Sequence, residues 1–486
     1  MLSYSEMRER LAQIPDLEIS LNEPLARHTR FEIGGPAGMF VDARREAAFV
    51  AAVRVARESG QRWMVIGSGT NLVVSDSGFE GVMIRYSGGS IVAGEGGRME
   101  VEAGAELQAL VDFAVERGLA GLERMTGIPG QVGAAIYGNA GAYGSSMADF
   151  VRSVRVFDGE KVVELPAEEV VFRYRSSVFK VRKDWLILSA ALECVAGDAA
   201  ALRAKADEIR AIRDAKYPPT MRCAGSIFKN LLLDELPARA RAAAPAEVVK
   251  GGKVPSAWFL DVTGVKGMKL GGVRVADYHA NLIYNEGGAT ARELREVIDE
   301  LKRRVRERFG LELEEEVQFV GFEALPGLET LERTPRVLDA LLAGCSAEDL
   351  EWAPAGGRWS IAEVLGHLAH AEEWCFGPRL RAFLTQEGAE FADYGVEAFR
   401  GESLAGALVR FREARRANVE LLAETPASAG SRTARHGSLG VVTLAEQMNE
   451  WAFHDLGHVR QIAEIVRARR YYEGMGPWRP HYTVAP

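Results

Sequence analysis

The chain has 486 residues, of which 47% are hydrophobic and 26% charged, with a formal net charge of −9. That length calls for about three domains, and the composition excludes a disordered or fibrous chain. The negative balance, with no basic stretch to oppose it, excludes nucleic acid as a partner. No apolar run approaches the roughly 20 residues that span a bilayer.

The N-terminal stretch MLSYSEMRERLAQIP mixes charges where a signal peptide needs an apolar core, so a cytoplasmic protein is expected, with no membrane insertion. RWMVIG (62–67) and IVAGEGGRMEVEAGA (91–105) read as strands, and ELQALVDFAVERGL after them as a helix. SVRVFDGEKVVELP (153–166) alternates around Asp158-Gly159, a hairpin signal. A helix is expected from Ala199 to Ala215, stopped before Pro218, and another over 291–310, stopped by Gly310. LELEEEVQFVGF (311–322) reads as a strand. Beyond residue 325 strand signals fade, and helical periods near 327–343, 360–384, 404–423 and 443–470 predict a four-helix bundle. The four cysteines, Cys194, Cys223, Cys345 and Cys375, form no C-x-x-C pair and are expected to be free buried thiols.

Two stretches are unusually rich in glycine. GIPGQVGAAIYGNAGAYG (127–144) holds six glycines in eighteen positions and no charge, and VIGSGTNLVV places Gly67, Ser68, Gly69, Thr70 and Asn71 directly after a strand. Glycine lets a backbone turn with positive φ and approach a ligand closely, and the amides it exposes form anion-binding concavities. The Rossmann fingerprint would need glycine at Leu72 and a helix where LVV follows, so a dinucleotide held in some other way fits better. Either loop alone is equally well a tight structural turn.

TRFEIGGPA (29–37), VIGSGTNLVVSDSGFEGVMIR (65–85), the 127–144 stretch, YRSS (174–177), AGSIFKN (224–230), HANLIYN (279–285) and LELEEEVQFVG (311–321) occur in the order and spacing of the UDP-N-acetylenolpyruvoylglucosamine reductases. The chain resembles that family over residues 20–322. The resemblance implies an α+β FAD-binding domain of the vanillyl-alcohol oxidase (PCMH) type over 1–215 and an α+β substrate domain over 216–324. It implies FAD on the two glycine loops, at Gly67 to Asn71, Gly127, Ile128, Pro129, Gly130, Gly133, Asn139, Ala140 and Gly141.

The implied activity is NADPH-dependent reduction of UDP-N-acetylglucosamine-enolpyruvate to UDP-N-acetylmuramate, a step of peptidoglycan synthesis. Such chemistry asks for hydride delivery to the methylene carbon, a cation for the charge spreading onto the carboxylate, and an acid for the adjacent carbon. By position Arg175 matches the family's arginine, Ser226 its proton donor and Glu316 its catalytic carboxylate. Lys216 and Asn230, with Lys229 and His279 beside them, match positions that contact the UDP-sugar. Without the resemblance these would read as a surface arginine, a turn serine and a solvated charge run. Leu231 replaces a common proline, residues 231–254 run long, and the 50 or so residues between Arg175 and Ser226 leave no room for the tyrosine-bearing lid of one family branch.

WSIAEVLGHLAHAEEW (359–374) and NEWAFHDLGHVRQIAEI (449–465) resemble the DinB-like bundles, which places that all-α domain at 325–486. His454 and His458 are spaced i, i+4 on one helix face, and the resemblance implies a divalent metal (zinc, nickel or iron) on these two and His367, with His370 a competing ligand. A histidine-containing packing or dimerisation module is the plainer alternative for the bundle. For the whole chain the alternative is a flavin- and UDP-sugar-binding regulator, against which the retention of Arg175, Ser226 and Glu316 speaks. No motif chooses between NADPH and NADH.

Overall fold

The computed structural model describes residues 2–323, 325–395, 406–423, 425 and 427–481. The chain divides into two compact units, 1–321 and 322–486.

The first unit begins with a four-stranded sheet in the order Leu17–Pro24, Pro36–Ala43, Phe79–Tyr86, Trp63–Ile66, in which the first pair is antiparallel and the others parallel. The parallel pairs need a crossover, and helix Glu46–Ser59 supplies it, burying Phe49, Val53 and Ala56 against Val41, Val82 and Ile84. A second sheet is antiparallel: Val162–Pro166, Val151–Phe157, Leu186–Glu193, Arg98–Glu102, Ile91–Ala93. Its Phe157 and Leu188 enter the same core as the first sheet, while Val154, Val156 and Leu192 pack with helix Leu107–Glu116 in a second one. The Asp158-Gly159 hairpin forms as predicted, with Val154 opposite Leu165.

Helix Ala199–Lys216 then leads to a smaller three-stranded sheet, Lys269–Leu270, Val273–Val275 and Ile283–Asn285. Helix Ala291–Phe309 covers it. A capping box of Thr290 and Glu293 starts that helix, the Asp76 carboxylate accepts from the amides of Ala291 and Arg292, and Gly310 at φ 64° ends it. Leu294, Val297, Ile298, Leu301 and Val305 form its buried stripe.

The strand expected over 311–322 is shorter, Gln318–Val320, because the chain changes partner midway. Glu314 and Glu316 pair by backbone with Lys229 and Ile227 at 3.0 and 2.7 Å, after which Gln318–Val320 runs parallel to Leu72–Val74. No single ladder extends through both.

The second unit holds helices Leu328–Leu342, Ile361–Ala371 continuing through a π turn into Gly377–Thr385, Ala407–Ala423, and Leu444–Val466. Residues 404 and 405 of the expected third helix lie outside the described residues. The bundle also carries a three-stranded sheet, Glu390–Phe391, Thr433–His436 and Gly440–Thr443, which the fading strand signal did not predict. Thr433–His436 alternates exposed and buried positions, but four residues that include Arg435 and His436 are too short and too polar to stand out. At the bundle's centre Arg415 is fixed between Glu372 and Asp455, with all three side chains at most 2% exposed. No helix among the described residues is long and apolar enough to cross a membrane.

Candidate active site and metal centre

The two glycine loops face one cavity of about 1230 Å³ in the first unit. Pockets for a single small molecule run about 300–1,000 Å³, so this one exceeds what one small molecule needs. Gly67 to Asn71, Gly127, Ile128, Pro129, Gly133, Ala140 and Gly141 line it. Gly69, at φ 60°, lies so close to the His28 carbonyl that an added Cβ would stand 1.7 Å from that oxygen. Gly133 likewise leaves only 2.8 Å between an added Cβ and that of Ala103. These glycines let the loops pack against the scaffold and still present backbone to the cavity. Gly130 and Asn139 are not among the lining residues. Asn139 is buried, donates to the Arg173 carbonyl at 2.9 Å and accepts from the Ala148 amide at 3.1 Å, so its amide braces the loop instead.

Among the described lining residues seven side chains are basic (Arg30, Arg57, Arg175, Lys180, Lys183, Arg210, Arg213) and three acidic (Asp184, Asp214, Glu316). Burial pushes the Arg213 guanidinium and the Lys180 ammonium down, and the charge of Lys229 adds to the latter. Arg213 packs over Gly127 and its buried Nε has no hydrogen-bond partner, so one of its donors faces that glycine loop unanswered. A buried unpaired donor of this kind is costly unless an anion meets it. The lining therefore fits the pyrophosphate of FAD.

Arg175 stands at the tip of a tight turn in which Arg173 and Ser176 exchange backbone hydrogen bonds, at 2.9 and 3.1 Å. Its φ of +54° is a conformation that costs a non-glycine residue about 1–2 kcal/mol. The turn aims Arg175 Nε at Glu316 Oε1, 2.6 Å away, while its Nη2 donates to the carbonyl of Gly141 at 3.2 Å. Glu316 is held from both sides: its amide donates to the Ile227 carbonyl at 2.7 Å and its carbonyl accepts from Asn71 Nδ2 at 2.8 Å. Ser226, next to Ile227, is paired by backbone to Leu282 and lines the same cavity. Hydrogen bonds to the Glu316 backbone thus join the first glycine loop and the serine segment.

Of the other predicted residues, Asn230 lines the cavity. Lys216, Lys229 and His279 are not among the lining side chains. Lys229 is ion-paired with Glu314, the Lys216 ammonium lies 4.9 Å from the centre of the Tyr217 ring, and burial, with Lys216 next, pushes His279 down to about 4. Sequence reasoning passed over Tyr174, Lys180, Arg213 and Tyr217, all of them in the lining. Arg213 had one readable signal: it precedes Lys216 by three positions on a helix, and so shares its face.

In the second unit His367, His454 and His458 come together, with one nitrogen of each within 4.8 Å of the others. His367 Nε2 and His454 Nε2 are 2.9 Å apart, and His458 Nδ1 lies 3.0 Å from Gln461 Oε1. Ligands about 2.0–2.1 Å from a tetrahedral zinc stand roughly 3.4 Å from one another, so the spread suits one ion. Burial first, then neighbouring imidazoles, push His367 and His454 down to about 3, and burial lowers His458 as well, which keeps all three in the neutral form that binds metal. His370 turns elsewhere, its Nδ1 2.7 Å from the Tyr394 hydroxyl.

Together these features define a flavoprotein fold carrying an additional histidine-bearing bundle. An FAD binding domain model matches residues 37–164, the C-terminal domain model of UDP-N-acetylenolpyruvoylglucosamine reductase matches 217–320, and the DinB superfamily model matches 330–462. The UDP-N-acetylenolpyruvoylglucosamine reductase of Solibacter usitatus (strain Ellin6076) is 57% identical over 312 residues, which is 64% of this chain and 100% of that protein. That of Clostridium perfringens (strain SM101 / Type A) is 32% identical over 323 residues, 66% of this chain and 99% of that protein. The crystal structure of the Thermus caldophilus reductase is 29% identical, with a TM-score of 0.49, and covers 63% of this chain and 98% of that one. The chain belongs to the UDP-N-acetylenolpyruvoylglucosamine reductase family, an FAD-dependent oxidoreductase, with a DinB-type domain fused behind it.

Proposed function

We propose that this protein reduces UDP-N-acetylglucosamine-enolpyruvate to UDP-N-acetylmuramate with NADPH, a step of peptidoglycan biosynthesis, and that its bundle holds a divalent zinc, nickel or iron ion on His367, His454 and His458. In this reading residues 1–215 carry FAD, 216–324 complete the substrate site and 325–486 form the bundle. The observation that carries it is the Arg175–Glu316 pair, 2.6 Å apart on the wall that Ser226 shares.

When bound, FAD supplies the hydride that the methylene carbon accepts. Arg175 meets the substrate carboxylate as charge spreads onto it, since a guanidinium fork matches that geometry, and Glu316 keeps the arginine in place. Ser226 gives its hydroxyl proton to the adjacent carbon; a positioned acid of this kind contributes about 10²–10⁴-fold. Asn230, the one of the four predicted substrate-contacting residues that lines the cavity, meets the UDP-sugar.

The test is anaerobic stopped-flow on the FAD-loaded protein, reduced with NADPH and then mixed with the enolpyruvyl UDP-sugar. Rapid flavin reoxidation is expected, lost in Ser226→Ala while reduction by NADPH persists. A UDP-sugar that binds without reoxidising the flavin would replace the reductase by a binding or regulatory protein. Metal analysis of the same preparation should give one ion per chain, and none in His454→Ala.

A further inference from the structure

Tyr217 follows helix Ala199–Lys216 directly and precedes Pro218-Pro219. Its amide donates to the Arg213 carbonyl at 2.6 Å, closing the last helical turn, and the proline after it disfavours a further helical turn, leaving it at φ −129°, ψ 77°. The ring enters the cavity with its hydroxyl 3.5 Å from Ser226 Oγ. The Lys216 ammonium lies 4.9 Å and the Arg213 guanidinium 5.7 Å from the ring centre. A separation of 3.5 Å is long for a hydroxyl pair, but catalytic hydrogen bonds commonly tighten only when substrate is bound.

We propose that Tyr217 is a relay residue that restores the proton Ser226 gives up. The inference rests on Ser226 being the donor. The Ser226 O–H bond breaks as a C–H bond forms on the substrate, and in the same step the Tyr217 O–H bond breaks as the Ser226 O–H bond re-forms, so both protons move together. Tyr217 is left as a phenolate, to which solvent water returns a proton. No electrons change hands in these steps. A phenol is a far stronger acid than an alcohol, so the proton passes from the tyrosine side toward Ser226.

The experiment follows flavin reoxidation by the UDP-sugar in mixtures of H₂O and D₂O. In the wild type the rate should bow with deuterium fraction, because two protons move. In Tyr217→Phe the rate should fall about 10- to 100-fold and depend linearly on deuterium. Flavin reduction by NADPH, FAD content, melting temperature and the UDP-sugar Kd of the oxidised enzyme should stay unchanged. A linear wild-type dependence overturns the relay however the variant folds. So does a Tyr217→Phe variant with wild-type rate and curvature while Ser226→Ala is inactive, which leaves the serine reading standing. If Ser226→Ala itself reoxidises at the wild-type rate, the donor assignment fails and the relay with it.

Discussion

The two candidate sites solve opposite electrostatic problems. In the reductase unit opposite charges, Arg175 and Glu316, are held in contact at the wall of a large cavity, each about a quarter exposed. In the bundle three imidazoles are held neutral by burial, and the charges near them, Arg415, Glu372 and Asp455, are locked into one another. The lesson is one of timing. A site that stabilises charge as it develops must keep its charges ready and open to a ligand, whereas a metal-binding site needs lone pairs free of protons and no rival cation.

That contrast breaks most visibly at Glu316. Replacing it with glutamine removes the charge that holds Arg175 and keeps the backbone bonds to Ile227 and Asn71. Reoxidation of reduced flavin by the UDP-sugar should slow about 10²–10³-fold, with reduction by NADPH unchanged in stopped-flow. Equal losses in both halves would make Glu316 a strut of the flavin loop and not a partner of Arg175.

In the bundle the matching change is Arg415→Met. It leaves Glu372 and Asp455 buried without their cation, a defect that typically costs about 3–5 kcal/mol. Burial already pushes Glu372 up, so one carboxyl is expected to take a proton and soften the loss. Trp451, whose Nε1 donates to Glu372 Oε1 at 2.7 Å, reports the loss as an earlier fluorescence transition in denaturant. The two half-reactions of the flavin should not change. If they do, the contrast between a working site and a separately stabilised bundle is wrong.

Much of this was legible where the signal is local. The helix over 291–310 announced itself by its helical segment and a glycine stop, and His454 and His458 share a face by spacing alone. Arg175 and Glu316 are 141 positions apart, and nothing in either neighbourhood calls for the other. Only the resemblance brought them together, because their meeting depends on a strand that abandons Ile227–Lys229 for Leu72–Val74. Tyr217 and Arg213 stayed hidden for a related reason: a tyrosine before two prolines reads as a helix end, and only the tertiary fold shows which wall that end reaches. The bundle's short sheet escaped because four residues cannot establish a period.

The smallest effect concerns whether His279 belongs to the charged site or merely to its scaffold. Burial and the nearby Lys216 hold its imidazole near 4, against about 6.5 in an unfolded chain. Between those values the unfolded state binds a proton that the native state does not, so this residue's share of stability is whole above about pH 6.5 and is lost as the pH falls toward 4. His279→Gln removes that dependence. Wild type minus variant stability, measured by denaturant titration, should therefore decline from pH 6.5 to 4 with a slope no steeper than one proton, and stay flat above. Adding the UDP-sugar sharpens the question. A diphosphate beside the ring would favour its protonated form and move the window upward, whereas a histidine that only packs against the sheet would titrate at the same pH with ligand or without.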